Sequence, residues 1–169
     1  MPKNTAKEKP ALGNSELFQP LDDIDKQVLC LLQENSRITS AELARRVSLS
    51  TPGLQKRLRK LEENSVIGRY VTLVNREALG LDLLCFAQVT LAHHQPECIG
   101  LCGVKGLPEV LECHHLGGEF DYLLKVVVAN HQHLERFLSE KIDRIPSVDR
   151  IRTSIVLNEI KASTSLPLD

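Results

Sequence analysis

The sequence predicts an α+β chain in two parts, three short helices ahead of a βαββαβ unit. Three observations carry this. Apolar residues recur every three or four positions up to about residue 63, the period shifts to two beyond Gly80, and charge is divided unevenly between the two stretches. Arg37 to Lys60 holds seven cations and one anion, whereas Leu83 to Asp169 holds eight cations and eleven anions. The 169 residues are 42% hydrophobic and 25% charged with a net charge of −1, an ordinary globular composition that excludes disordered and fibrous classes.

Residues 1–20 carry Pro2, Pro10 and Pro20 with little apolar periodicity and read as a flexible tail. The first helix starts near Asp22, which can cap it, and repeats Ile24, Val28, Leu31 and Leu32 on one face. The second opens on Thr39 and Glu42, a T-x-x-E capping box, and buries Leu43, Ala44 and Val47. The turn Ser48-Leu49-Ser50 leads to a third helix with Pro52 in its first turn, where a missing N–H costs nothing. Its inner stripe is Leu54, Leu58 and Leu61, with Gln55, Lys56, Arg59 and Lys60 outward, and Asn64 and Ser65 end it. Two short helices about a three-residue turn, the second basic on one face, spell a helix-turn-helix. Val66 to Val74 reads as a short β ribbon, the wing or linker after such a unit.

Leu83 to Ala92 is strand-like, and Pro96 to Leu107 is a weak helix broken by three glycines. Val110 to Leu116 and Tyr122 to Val128 read as strands joined at Gly117-Gly118, a tight hairpin needing positive φ. His131 to Ile145 forms an amphipathic helix with Leu134, Phe137, Leu138 and Ile142 inward. Val148 to Ile160 is a last strand with Ile151, Thr153, Ile155 and Leu157 on one face. This order gives a ferredoxin-like domain whose helices cover one face of the sheet, so the open face calls for a second copy. The expected organisation is a tail (1–20), a helix-turn-helix domain (21–67), a β linker or hinge (68–82) and a ferredoxin-like domain (83–169).

No apolar run approaches the roughly 20 residues of a membrane span, and no secretory leader opens the chain. Five cysteines without framework spacing fit a reducing cytoplasm. The sequence contains no G-x-S-x-G, P-loop or H-E-x-x-H motif, so no enzyme class is favoured and no cofactor is called for. His93, His94, Cys98, Cys102, Cys113, His114 and His115 form a cluster of soft ligands. Without a C-x-x-C pair it is weak evidence for metal or thiol sensing, and no metal site is assigned.

The stretches LDDIDKQVLCLLQENSRITSAELARRVSLS and QKRLRKLEENSVIGRY resemble the amino-terminal half of the Lrp/AsnC (feast/famine) transcriptional regulators. ECHHLGGEFDYLLKVVV and IRTSIVLNEIKASTSLPL resemble their effector-sensing half. The likeness is greatest to the leucine-responsive branch. It implies a winged helix-turn-helix that binds double-stranded DNA, a hinge, and an effector domain that forms homodimers and often octamers. On this reading Gln55 reaches base edges, Lys56, Arg59 and Lys60 reach phosphates, Ser50 and Thr51 donate from the helix start, and Arg45 and Arg46 clamp the backbone. Arg57 borders the inner stripe and reads as structural. An amino-acid effector would bind where turns of neighbouring dimers meet, its carboxylate on Gly117 and Gly118 and its ammonium on Glu119 or Asp121, with Thr153 and Ser154 nearby. Two positions depart from the family pattern. Ser65 stands where glycine precedes the wing, its turn expected to survive through a left-handed Asn64, and Gly117 replaces a hydroxyl residue of the effector turn. A metal- or thiol-responsive regulator and a haem-pathway decarboxylase of similar architecture are the alternatives, and the dense basic helix argues against the latter.

Overall fold

The computed structural model describes residues 20–92, 103–145 and 147–168. The chain divides into two compact units, one running to Thr72 and taking in the segment from Ser163, the other Leu73–Ala162. The helical unit therefore includes six described residues, 163–168, that the sequence pattern placed with the sheet.

The helical unit is built from α1 (Asp23–Glu34), α2 (Ser40–Arg46) and α3 (Thr51–Glu63), each begun by a side-chain oxygen that accepts a backbone N–H the helix cannot satisfy itself. Asp22 and Asp25 form a reciprocal capping box on α1. The box expected on α2 is half-formed. Thr39 Oγ1 accepts from the Glu42 N–H at 3.2 Å, but the Glu42 carboxylate turns to Arg45 and Arg46, because two guanidinium groups are stronger partners than one exposed backbone N–H. Val28, Leu43 and Leu54 interlock at the centre with Ala44, Val47 and Leu61, and Leu58 is half-buried. Arg57 Nη1 donates to Asp22 Oδ2 at 2.6 Å and Asp25 Oδ1 at 2.7 Å, riveting the middle of α3 to the start of α1.

α2 and α3 end in the same way. Leu49 N–H reaches back to Ala44 O and Ser48 N–H to Arg45 O; Val66 N–H reaches Leu61 O and Ser65 N–H reaches Glu62 O. This double closure needs a left-handed residue, and serine supplies it both times, Ser48 at φ 55° and Ser65 at φ 57°. Asn64, the expected left-handed residue, stays at φ −82° as the cap itself.

The expected ribbon over residues 66–74 does not form. Among the described residues no strand lies there and none stands beside it, and a ribbon needs a second strand to ladder with. Val66, Tyr70, Val71, Leu73 and Val74 are left exposed. A single 3₁₀ turn, Glu77–Leu79, and Gly80 at φ 71° then redirect the chain into the sheet.

The sheet unit holds β1 (Leu83–Leu91), β2 (Val110–His115), β3 (Tyr122–Val128), α4 (His131–Phe137, continued by a wider turn, Leu138–Ile142) and β4 (Val148–Ile155). The sheet is antiparallel in the order β2-β3-β1-β4. Alternation sends Cys85, Ala87, Val89, Tyr122, Leu124, Val126 and Val128 to one face, where Leu134, Phe137 and Ile142 pack on them, as expected. Residues 93–102, which include most of the predicted helix over 96–107, lie outside the described residues, and Val104 beyond them is buried in this core. β4 is shorter than expected. Its last rungs pair Cys85 with Ile155 and join the Val156 N–H to Leu84 O, after which β1 offers no further partner and Leu157 stands 97% exposed.

Candidate nucleic-acid interface and effector turn

Pro52 in the first turn and the Ser50 cap, which accepts from the Gly53 N–H at 3.3 Å, fix where α3 begins. Burial of Leu54 and Leu61 on one side then fixes which side faces out. Gln55, Lys56, Arg59 and Lys60 all fall on that outer side and are exposed, one turn of helix separating 55 from 59 and 56 from 60. Thr51 is exposed at the helix start.

The seven cations between Arg37 and Lys60 are not equivalent. Arg57 is held by Asp22 and Asp25. The Asp25 backbone N–H, and then this guanidinium, keep the Asp22 carboxyl below its ordinary value. Arg45 and Arg46 both close on Glu42, at 2.7 and 2.8 Å. That pair, Arg45 first, holds the Glu42 carboxyl at about 2, so it stays charged and cancels half their charge. Lys56, Arg59 and Lys60 have no carboxylate partner among the described residues, which leaves a compact triplet of uncompensated cations on α3. Gln55 Nε2 donates to Ser40 Oγ at 2.8 Å, which leaves its Oε1 and second N–H for another partner.

The β2–β3 turn is closed by the Leu116 N–H to Asp121 O at 2.8 Å and tied to the sheet by the Asp121 N–H to Val89 O. Neither Gly117 nor Gly118 takes a positive φ, contrary to the expected tight hairpin. The connection runs from His115 at the end of β2 to Tyr122 at the start of β3, longer than a two-residue loop, so it reverses direction without left-handed residues. Both glycines are exposed and a Cβ at either would meet open space, so the backbone here can be approached closely. Glu119 is exposed. Asp121 Oδ2 accepts from the Leu91 N–H at 2.8 Å, so part of this carboxylate serves the sheet rather than waiting for a ligand.

The predicted site residues of the sheet unit do not all converge within one chain. Tyr122 pairs with Val89, which places the turn at one end of β1. Thr153 and Ser154 pair with Ala87 and Phe86, about 7 and 10 Å further along. They also point to opposite faces. The β4 side chain that does meet the turn is one that sequence reasoning misses. The Arg152 guanidinium lies 5.9 Å from the centre of the Phe120 ring. Its signal is the alternation of Arg150 and Arg152 against Ile151 and Thr153, which sets two arginines on the sheet face away from α4.

The soft-ligand cluster is scattered where it is described. Cys113 and His115 share one face of β2 and His114 takes the other. His114 Nε2 lies 3.0 Å from Glu112 Oε2, and His115 stacks on Tyr122 at 5.0 Å. No group of three His, Cys, Asp or Glu able to hold a metal occurs among the described residues, and His93, His94, Cys98 and Cys102 lie outside them.

A helix-turn-helix with an uncompensated cationic face, carried in one chain with an antiparallel sheet unit, defines a DNA-binding regulator. Residues 21–67 match the family described as winged helix-turn-helix DNA-binding, and residues 84–166 match the Lrp/AsnC ligand binding domain. The chain belongs to the Lrp/AsnC family of transcriptional regulators. It is 38% identical over 156 residues to the leucine-responsive regulatory protein of Serratia marcescens, covering 91% of this chain and 95% of that one. A transcriptional regulator of Neisseria meningitidis solved with L-Met superposes with a TM-score of 0.84 at 35% identity, covering 89% and 98% of the two chains. The feast or famine regulatory protein of M. tuberculosis complexed with L-methionine gives 0.80 at 32% identity, covering 87% and 99%. No helix among the described residues is long and apolar enough to cross a membrane.

Proposed function

We propose that this regulator reads double-stranded DNA with α3, works as a homodimer that assembles towards an octamer, and answers to an amino acid bound at the β2–β3 turn. It acts in the cytoplasm and catalyses no reaction. The observation that carries the DNA reading is the triplet Lys56, Arg59 and Lys60, on one exposed face and without a carboxylate partner among the described residues, while the neighbouring arginines are paired internally. Ser50 and Thr51 add hydroxyls at the helix start, Gln55 reads base edges, and Arg45 and Arg46 keep a net charge of one towards the phosphates.

For the effector, Gly117 and Gly118 offer an open backbone to a carboxylate, and Glu119 with the remaining oxygen of Asp121 suits an ammonium. Thr153 and Ser154 sit too far along β4 to complete that pocket from the same chain, so any part they take is on a ligand shared with a second copy. The methionine complexes of the two neighbours support an amino acid as the ligand class. Selection of bound genomic fragments with and without methionine, leucine and other amino acids tests the whole reading. Recovery of a shared two-fold motif whose occupancy shifts with one amino acid supports it, and no enrichment over random fragments rejects it.

A further inference from the structure

We propose that the C-terminal segment is a latch for the DNA-binding unit, a peptide whose docking site is the outer face of α1. Residues 163–168 belong to the helical unit although 133 positions of sequence separate Leu166 from its partner Gln33. Gln33, in the last turn of α1, clasps the segment twice. The Leu166 N–H donates to Gln33 Oε1 at 2.6 Å, and Gln33 Nε2 donates to Leu166 O at 3.1 Å. This is the exchange that two β-strands make, reproduced by one side-chain amide, and it needs a group with both a donor and an acceptor.

The sequence of the segment suits that clasp. Pro167 has no N–H to satisfy and a fixed φ, so less freedom is lost on docking. Leu168 then packs against the helical core and lines a groove with Cys30, Leu31, Gln27 and Arg46. Between β4 and the latch, residues 156–162 make no strand or helix. The chain thus passes between its two units twice, once through 73–82 and once through 156–162. The second passage leaves directly from the strand that carries Arg152. A docked latch therefore gives β4 a covalent route to the helix-turn-helix, and this last step rests on the effector reading above.

The test uses the full chain carrying Leu168→Cys beside the native Cys30, with oxidation followed by peptide mapping. A 30–168 disulfide within one chain is expected, and Gln33→Leu should slow its formation several-fold. A 30–168 linkage formed between two chains would reject the proposal in favour of a segment exchanged between copies, and no 30–168 linkage would reject docking altogether. Separately, removal of residues 163–169 should lower DNA affinity several-fold without added amino acid, while sedimentation stays that of the full chain. Unchanged DNA affinity would overturn the latch's role. Because these titrations contain no amino acid, a wild-type protein that ignores every effector defeats the effector reading and leaves the latch standing.

Discussion

Ser65 holds a left-handed conformation that serine adopts at a cost and glycine adopts freely. The closure of α3 depends on it, because the Val66 and Ser65 N–H groups reach Leu61 O and Glu62 O through that bend. The left-handed residue costs about 1–2 kcal/mol and the added backbone entropy of glycine offsets about half, so Ser65→Gly should raise stability by about 0.5–1 kcal/mol. Ser65→Val should lower it, and thermal or urea unfolding of both variants checks the sign. Glu42 is a second residue with a legible environment. Its carboxyl is held at about 2 by Arg45 and Arg46, below the ordinary 4.5. A depressed carboxyl contributes stability above its unfolded value and loses it as pH falls through the folded one, so this contribution fades between about pH 4.5 and 2. Glu42→Gln should remove that acid sensitivity. It should also free both arginines, raising DNA affinity several-fold at low salt and steepening its salt dependence.

At the scale of elements, α3 and the β2–β3 turn make separable claims. Replacing Lys56 and Arg59 together with Ala should weaken DNA binding and reduce the slope of log affinity against log salt by about two, since each lost phosphate contact removes about 0.9. An unchanged slope in a folded variant would place the contact elsewhere. Asp121→Ala strips the Leu91 N–H of its acceptor and should cost about 1–2 kcal/mol in the sheet unit. Asp121→Asn keeps an acceptor, so loss of the amino-acid response in this milder variant separates ligand contact from sheet repair, with calorimetry as the readout. The helices and strands were legible because caps and apolar periods are written locally, as at Asp22, Thr39, Ser50 and the stripe of Leu54, Leu58 and Leu61. The basic face was legible for the same reason. What escaped depended on distant partners. Whether residues 66–74 become a ribbon is decided by another strand, whether Arg152 meets Phe120 is decided by register across β1, and whether Leu166 meets Gln33 is decided by the path of the whole chain.

At the scale of the whole molecule, a near-neutral protein concentrates its positive charge in one short stretch and leaves the last 87 residues with an excess of acids. The full chain should sediment as a dimer or larger, because the sheet face away from α4 has no covering layer among the described residues. A single-chain species at micromolar concentration would contradict that. The unladdered stretch after α3 has a further consequence. Val66, Tyr70, Val71, Leu73 and Val74 offer apolar side chains along a backbone with no ladder partner among the described residues, a sticky edge that water solvates poorly. A regulator that hides such an edge by pairing is active in proportion to the square of its concentration while dilute. If that edge is hidden by pairing, halving the supply in a cell would quarter the amount able to sit on a two-fold operator, and occupancy would follow the protein's own abundance more steeply than in direct proportion.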